Sequence, residues 1–250
     1  MGVALGARIG ASVTAPAVSP AVYNATTTTR GRLYYYHGLN STYSQLQSTP
    51  FLDFITSVRA DGWQVILPGE MYDGASQSSG TATAITNAGD SGMTFRSDVI
   101  ALHHLTRTYI NQLYGQPVGG KDVIAGISWG GLMTEILVTS GVPVRAFLAH
   151  VPATDPHYLT EFSAVTTTNV MPTSYGSRVE KVPGWISYST SDTRVGYAAT
   201  QTLAANMAAV SGATITVRGG AGDTYYQSLG HSTDSTVISD MAAWVAAYIP

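Results

Sequence analysis

From Arg32 onward, short apolar runs closed by turn residues alternate with stretches whose apolar residues recur every three or four positions. Alternation of that kind calls for a mostly parallel sheet with helices on both faces, because a parallel strand pair needs a crossover that a helix supplies. Leu33-Tyr34-Tyr35-Tyr36, ending at His37-Gly38, predicts a buried strand, and Phe51, Ile55 and Val58 predict a helix that stops at Asp61-Gly62. Trp63 to Leu67 reads as a second strand closed by Pro68-Gly69, and the Gly, Ser, Thr and Ala stretch from Asp73 to Ser91 as a long loop. Val99, Leu102, Leu105, Tyr109 and Leu113 mark one face of a helix, followed by the strand Asp122 to Ala125, a helix from Gly131 to Thr139 and the strand Val144 to Ala149. Trp185 to Tyr188 predicts a strand, Val195 to Val210 a helix, and Thr214 to Val217 the last strand. Val237, Met241, Trp244, Val245 and Tyr248 form the stripe of a closing helix.

The first 30 residues differ from the rest: rich in Ala, Val, Thr and Pro, they carry no charge before Arg8 and read as an extended leader or linker. Residues 31–250 are expected to form a single α/β domain, with 153–180 an irregular polar stretch long enough for a short lid or insertion. A chain of 250 residues buries roughly three quarters of its extended surface, so its core needs no metal or disulfide support. With 12 basic against 15 acidic residues, the net charge of −3 removes the basic footprint of a nucleic-acid binder, and no apolar run reaches the roughly 20 residues of a membrane span. The absence of cysteine excludes disulfides, thiolate metal sites and cysteine nucleophiles. Only 11% of residues are charged, a balance that favours an extracellular or virion-associated setting and leaves a cytoplasmic one open.

Chemistry concentrates at Gly126-Ile127-Ser128-Trp129-Gly130, a G-x-S-x-G pattern lying directly after a strand and directly before a helix. A sharp turn there throws a serine hydroxyl out of the sheet, and side chains at the flanking glycines would strike neighbouring backbone; Gly131 loosens the packing further. In pattern, context and element order, the chain from Arg32 to its C-terminus resembles the α/β-hydrolase fold family. Its S-W-G-G form also resembles the dienelactone-hydrolase-like and prolyl-oligopeptidase-like branches, although no propeller-sized domain precedes it.

That resemblance implies a catalytic triad in the chain order serine, acid, histidine. Ser128 would be the nucleophile. Asp192, in the loop after the strand Trp185 to Tyr188, would be the acid, and His231, between the last strand and the last helix, the base. Asp155 is the alternate acid position and Asp223 a weaker rival; an N-cap is the structural reading of Asp192, and a water-bonded loop residue that of His231. The resemblance also implies an oxyanion hole built from the backbone N–H groups of Trp129 and, in the His37-Gly38-Leu39-Asn40 turn, Leu39. His37 is then a brace of that turn, and Asn40 and the Trp129 side chain are candidate substrate contacts. No cofactor and no metal are implied.

Three functions are compatible with these residues: a serine esterase working through an acyl-enzyme on small or polymer-linked esters such as those of cell envelopes, a peptidase or amidase on the same triad, and a binding module that merely keeps the fold. A serine at the elbow argues against the aspartate-nucleophile hydrolases of the family, and the presence of all three triad residues argues against the binding module. His103 and His104 are adjacent on a helix, about 100° apart, which is poor geometry for a shared metal and predicts one packed and one solvent-facing ring. Glu70 and Asp73, just past a strand end, are candidate substrate contacts at the mouth of the site.

Overall fold

The computed structural model describes residues 20–39, 48–68, 93–120, 122–156, 182–210, 212 and 214–249. Seven strands join one sheet: β1 (Ala21–Tyr23), β2 (Gly31–Tyr36), β3 (Trp63–Leu67), β4 (Asp122–Ile127), β5 (Val144–His150), β6 (Gly184–Ser187) and β7 (Ile215–Arg218). Their spatial order is β1-β3-β2-β4-β5-β6-β7; β1 runs antiparallel to β3 and every other neighbouring pair is parallel. Six helices connect them among the described residues: α1 (Phe51–Ala60), α2 (Met93–Tyr114), α3 (Trp129–Thr139), α4 (Ala198–Ala208), α5 (Thr224–Ser228) and α6 (Ser235–Tyr248).

Strand residues point alternately to opposite faces, and here both faces are apolar. Tyr34, Tyr36 and Ile124 pack with Val99, Leu102 and Ile110 of α2, Leu132 and Ile136 of α3, and Leu203 and Met207 of α4. Leu33, Tyr35, Val123 and Ala125 pack on the other face with Phe54, Ile55 and Val58 of α1 and with Val237, Met241 and Val245 of α6. Helices therefore cover both sides, and the fold is α/β with a mostly parallel central sheet, as the alternation predicts.

The differences from the sequence expectations have local causes. Ala21–Tyr23, in the segment read as leader, supply an edge strand by pairing with Val65 to Leu67. Helix α3 starts at Trp129, two residues earlier than predicted, because the elbow hands the chain directly from strand to helix. Helix α4 starts later than Val195, since Asp192 takes up the N–H groups of Arg194 and Val195 in a turn and Gly196 adopts φ 66°. The short α5 before His231 has no counterpart in the sequence reading. Residues 1–19, the loop from Asp73 to Ser91, and most of the 153–180 stretch lie outside the described residues, as do Asn40, Glu70 and Asp73.

Two adjacent parallel strands, β2 and β4, send their following segments in opposite directions across the sheet, toward β3 and β5. A crevice opens outside the carboxyl ends of strands at such a switch point. The Leu39 turn follows β2 and Ser128 follows β4 at that place.

Candidate functional site

Ser128 lies between β4 and α3 with φ 54° and ψ −115°, a left-handed conformation that costs a non-glycine residue on the order of 1–3 kcal/mol. Backbone hydrogen bonds hold it there. Its N–H donates to the His150 carbonyl at 3.0 Å, and its own carbonyl accepts from Leu132 at 3.0 Å and from Ala153 at 2.9 Å. The glycines around it are required by close approach. A Cβ on Gly126 would lie 2.2 Å from the Gly130 carbonyl oxygen, one on Gly130 2.1 Å from the Tyr36 carbonyl oxygen, and one on Gly131 2.7 Å from Pro152.

His231 follows Gly230, which turns the chain at φ 63°, and precedes α6, whose N-cap Asp234 accepts from the N–H groups of Thr236 and Val237. Its Nδ1 lies 2.8 Å from Asp192 Oδ2 and its Nε2 2.9 Å from Ser128 Oγ. Both ring nitrogens are thus engaged, one by each of the other two residues the sequence singles out. The His231 side chain is 17% exposed and that of Asp192 only 2%, so the carboxylate is sealed from solvent while the imidazole is partly accessible.

Asp192 serves two purposes. Its Oδ1 accepts from the backbone of Arg194 at 2.9 Å and Val195 at 3.2 Å, a capping use like the one the sequence allows, while Oδ2 faces His231. Burial alone would raise its pKa; the hydrogen bond from His231, the charge of that ring and the two backbone N–H groups outweigh burial and hold the carboxyl below its usual value. Asp223, the rival acid, is committed elsewhere: Oδ2 accepts from Arg218 at 2.8 Å and from the Gly219 N–H at 3.1 Å. Asp155 sits just past β5, half-buried.

The loops that carry Asp192 and His231 are tied to each other by residues that sequence reasoning did not single out. Ser189 Oγ donates to the Gln227 carbonyl at 2.7 Å and accepts the Gly230 N–H at 2.9 Å, and Ser191 Oγ donates to the same Gln227 carbonyl at 2.6 Å. His150, at the end of β5, is buried with Nδ1 2.6 Å from Ser187 Oγ and Nε2 3.1 Å from the carbonyl of Ser232. A serine-rich loop and a histidine at a strand end are the only sequence signals of these contacts, and neither reveals its partner.

Trp129 begins α3, and the N–H groups of a helix's first turn lack intrahelical acceptors. Its indole is wholly buried in the core cluster that also includes Tyr36, Leu39 and Leu132. The His37 carbonyl would lie 2.5 Å from a Cβ on Gly130, so the turn after β2 packs directly on the elbow. His37 is buried, with Nδ1 2.9 Å from the Gly38 carbonyl oxygen.

His103 packs against Tyr34 and Tyr36, its Nδ1 2.8 Å from the Tyr36 hydroxyl, whereas His104 is exposed. Burial, reinforced by the nearby charges of His104 and Arg107, lowers the pKa of His103 to about 3, so it is neutral at neutral pH. No cluster of histidine, aspartate or glutamate that could hold a metal occurs among the described residues. A cleft of about 400 Å³ opens at the opposite end of the sheet, where β2 and β3 begin, and is lined by Asn24, Arg32, Gln64, Tyr114 and Val118. Arg32 there is spent on Gln64, Asn111 and the Gly115 carbonyl, so the cleft shares nothing with the serine, histidine and aspartate at the strands' carboxyl ends.

No family model matches the sequence, and no curated protein matches it. Solved structures do match its shape. An acylaminoacyl peptidase from Pyrococcus horikoshii superposes with a TM-score of 0.62 at 13% identity over 92% of this chain. This chain spans only 39% of that peptidase's length. The protein TT1662 from Thermus thermophilus gives a TM-score of 0.64 at 16% identity, covering 93% of this chain and 94% of that one. A monoacylglycerol lipase from Paleococcus ferrophilus gives 0.58 at 15% identity, covering 92% and 99%. The strand order, the serine turn at the switch point and these neighbours agree: the chain has the α/β-hydrolase fold.

Proposed function

We propose that this protein is a serine hydrolase that cleaves carboxylic esters through an acyl-enzyme, with Ser128 as nucleophile, His231 as general base and acid, and Asp192 as the acid of the triad. One observation carries this reading: a single imidazole stands 2.9 Å from a serine hydroxyl on one side and 2.8 Å from a carboxylate on the other. A serine hydroxyl is a weak nucleophile until a base within hydrogen-bond reach takes its proton.

In the first step Ser128 Oγ attacks the acyl carbon as its proton passes to His231 Nε2, and Asp192 stabilises the imidazolium and holds Nδ1–H as the donor. The developing oxyanion is met by the N–H groups of Trp129 and Leu39, which together are worth several kcal/mol, since losing one such donor costs about 10²- to 10³-fold in rate. His231 returns its proton to the leaving alkoxide, and the alcohol departs. Water then repeats the sequence on the acyl-Ser128 ester, releasing the acid and restoring the serine. Support comes also from the fold's neighbours, which include a lipase as well as a peptidase.

A peptidase or amidase on the same triad is the second reading, favoured by the acylaminoacyl peptidase among the neighbours. The substrate we favour is an ester carried on a small molecule or on a polymer outside the cell, and the sheet with its flanking helices, β1 included, acts as one catalytic domain. The test is turnover of a p-nitrophenyl ester series beside the matching p-nitroanilides. Ester hydrolysis that disappears in Ser128→Ala supports the esterase, comparable anilide turnover supports the amidase, and ester hydrolysis unchanged in Ser128→Ala removes Ser128 from the site.

A further inference from the structure

We infer that His150 is a positioning residue that sets the distance between Ser128 and His231, an inference that rests on the serine-hydrolase reading. His150 is the last residue of β5, lying beside Ile127 of β4 and Ser187 of β6 in the sheet. It bonds to Ser128 itself and to the residue next to His231. Its carbonyl accepts the Ser128 N–H at 3.0 Å, and its Nε2 lies 3.1 Å from the carbonyl of Ser232, the residue after His231.

A carbonyl only accepts, so the Nε2 nitrogen of His150 must carry the proton. Burial drives the ring's pKa down to about 4, against the raising effect of the Ser232 carbonyl and of Asp192 and Asp234, with His231 pushing the same way as burial. The ring is therefore neutral at neutral pH, Nδ1 is an acceptor, and the Ser187 hydroxyl donates to it across 2.6 Å. This chain of donors has a fixed direction: Ser187 to His150, His150 to the Ser232 carbonyl. It fixes the imidazole's orientation and so the place where the base loop is held.

Strain next to His150 points the same way. Val151 has φ 36°, a conformation that a β-branched residue rarely adopts and that persists only when its surroundings enforce it. Here the Val151 N–H donates to the Ser187 carbonyl at 3.0 Å, and the turn it makes brings the Ala153 N–H back to the Ser128 carbonyl at 2.9 Å. Residues 150 to 153 thus bond both the N–H and the carbonyl of the serine, while the His150 side chain reaches the loop of the base. One residue thereby joins the elbow's backbone and the base loop. A displacement of about 1 Å between reacting groups can cost on the order of 10²-fold in rate, so a residue spanning the two need not touch substrate to matter.

The test uses the full chain, a fluorophosphonate probe and p-nitrophenyl acetate. Labelling of the unmodified protein comes first; its absence removes the serine-hydrolase reading and this inference with it, before any variant is made. His150→Leu is expected to lower kcat and the labelling rate roughly 10- to 100-fold with KM nearly unchanged. His150→Gln, whose amide N–H can still donate to the Ser232 carbonyl, is expected to recover most of that loss. Wild-type kcat in His150→Leu overturns the inference, as does a loss that His150→Gln shares in full. Should His150→Leu not fold, the imidazole ¹⁵N shifts of the unmodified protein decide: a neutral ring protonated on Nε2 is expected at pH 7, and one protonated on Nδ1 overturns it.

Discussion

Gly130 approaches Tyr36 so closely that a Cβ on the glycine would lie 2.1 Å from the tyrosine's carbonyl oxygen. The obstacle is backbone at the end of a buried central strand, which cannot swing aside as a flexible side chain would. Gly130→Ala is expected to lower stability by about 3 kcal/mol or more, measured by urea denaturation. Gly120, at φ 73° with open space around it, makes the contrast: its replacement by Ala meets only the left-handed backbone penalty of roughly 1–2 kcal/mol. Equal losses at the two positions would show that the elbow is less tightly packed than its geometry implies.

The proposed role of Asp192 as the acid is open to a direct ranking. Asp192 Oδ2 stands at 2.8 Å from His231, and Asp192→Asn replaces the acceptor that fixes Nδ1–H as donor. A fall in kcat of about 10⁴-fold is expected, with the fold retained. Asp155→Asn should stay within about tenfold of the wild type on the same scale. The reverse order, read from steady-state ester hydrolysis, would move the acid to Asp155.

Ser189 binds the Asp192 loop to the His231 loop through Gln227 and Gly230. Ser189→Ala leaves the Gly230 N–H without that acceptor, and because Gly230 is only half-buried the cost is expected at or below about 1 kcal/mol, the low end for an unsatisfied donor. The expected result is a lower melting temperature, accompanied by weaker hydrogen-exchange protection at Gly230. Unaltered protection would mean that the Gly230 turn, at φ 63°, holds itself.

Glu135, buried on α3, carries a pH dependence of its own. Burial raises its pKa well above the ordinary value, and the Thr154 hydroxyl bonded to its carboxyl only partly offsets that. A group whose folded pKa is raised gives stability that is fully present below its unfolded pKa and lost as pH rises through the folded one. Glu135→Gln should therefore gain stability over the wild type as pH increases above about 4.5, with the gain growing toward neutral pH. Thermal unfolding from pH 4 to 8 checks this; a gap between the two proteins that does not change with pH would contradict it.

Much of the architecture is legible in the sequence because each element carries a local signal. Trp63 to Leu67 stands between Asp61-Gly62 and Pro68-Gly69, and it forms β3 over the same residues. Ser128, too, announces itself by its two glycines, and Asp192 and His231 by their places after strands. Residues whose importance lies in partners distant along the chain stay hidden. Ala21–Tyr23 pairs only because β3 offers an open edge, and its own Ala, Val and Tyr do not stand out from the segment around them. His150 meets Ser232 across 82 positions, and Ser189 meets Gly230 across 41. No spacing rule spans such intervals; only the completed sheet brings them together.

Intact mass after exposure to a fluorophosphonate, compared between the unmodified chain and Ser128→Ala, tests the central claim most directly. A single phosphonyl adduct on the unmodified chain, absent from the variant, is the expected result, since such a probe reacts fastest with a serine hydroxyl activated by a neighbouring base. An unlabelled chain, or an adduct that persists in Ser128→Ala, would contradict an activated nucleophile at Ser128.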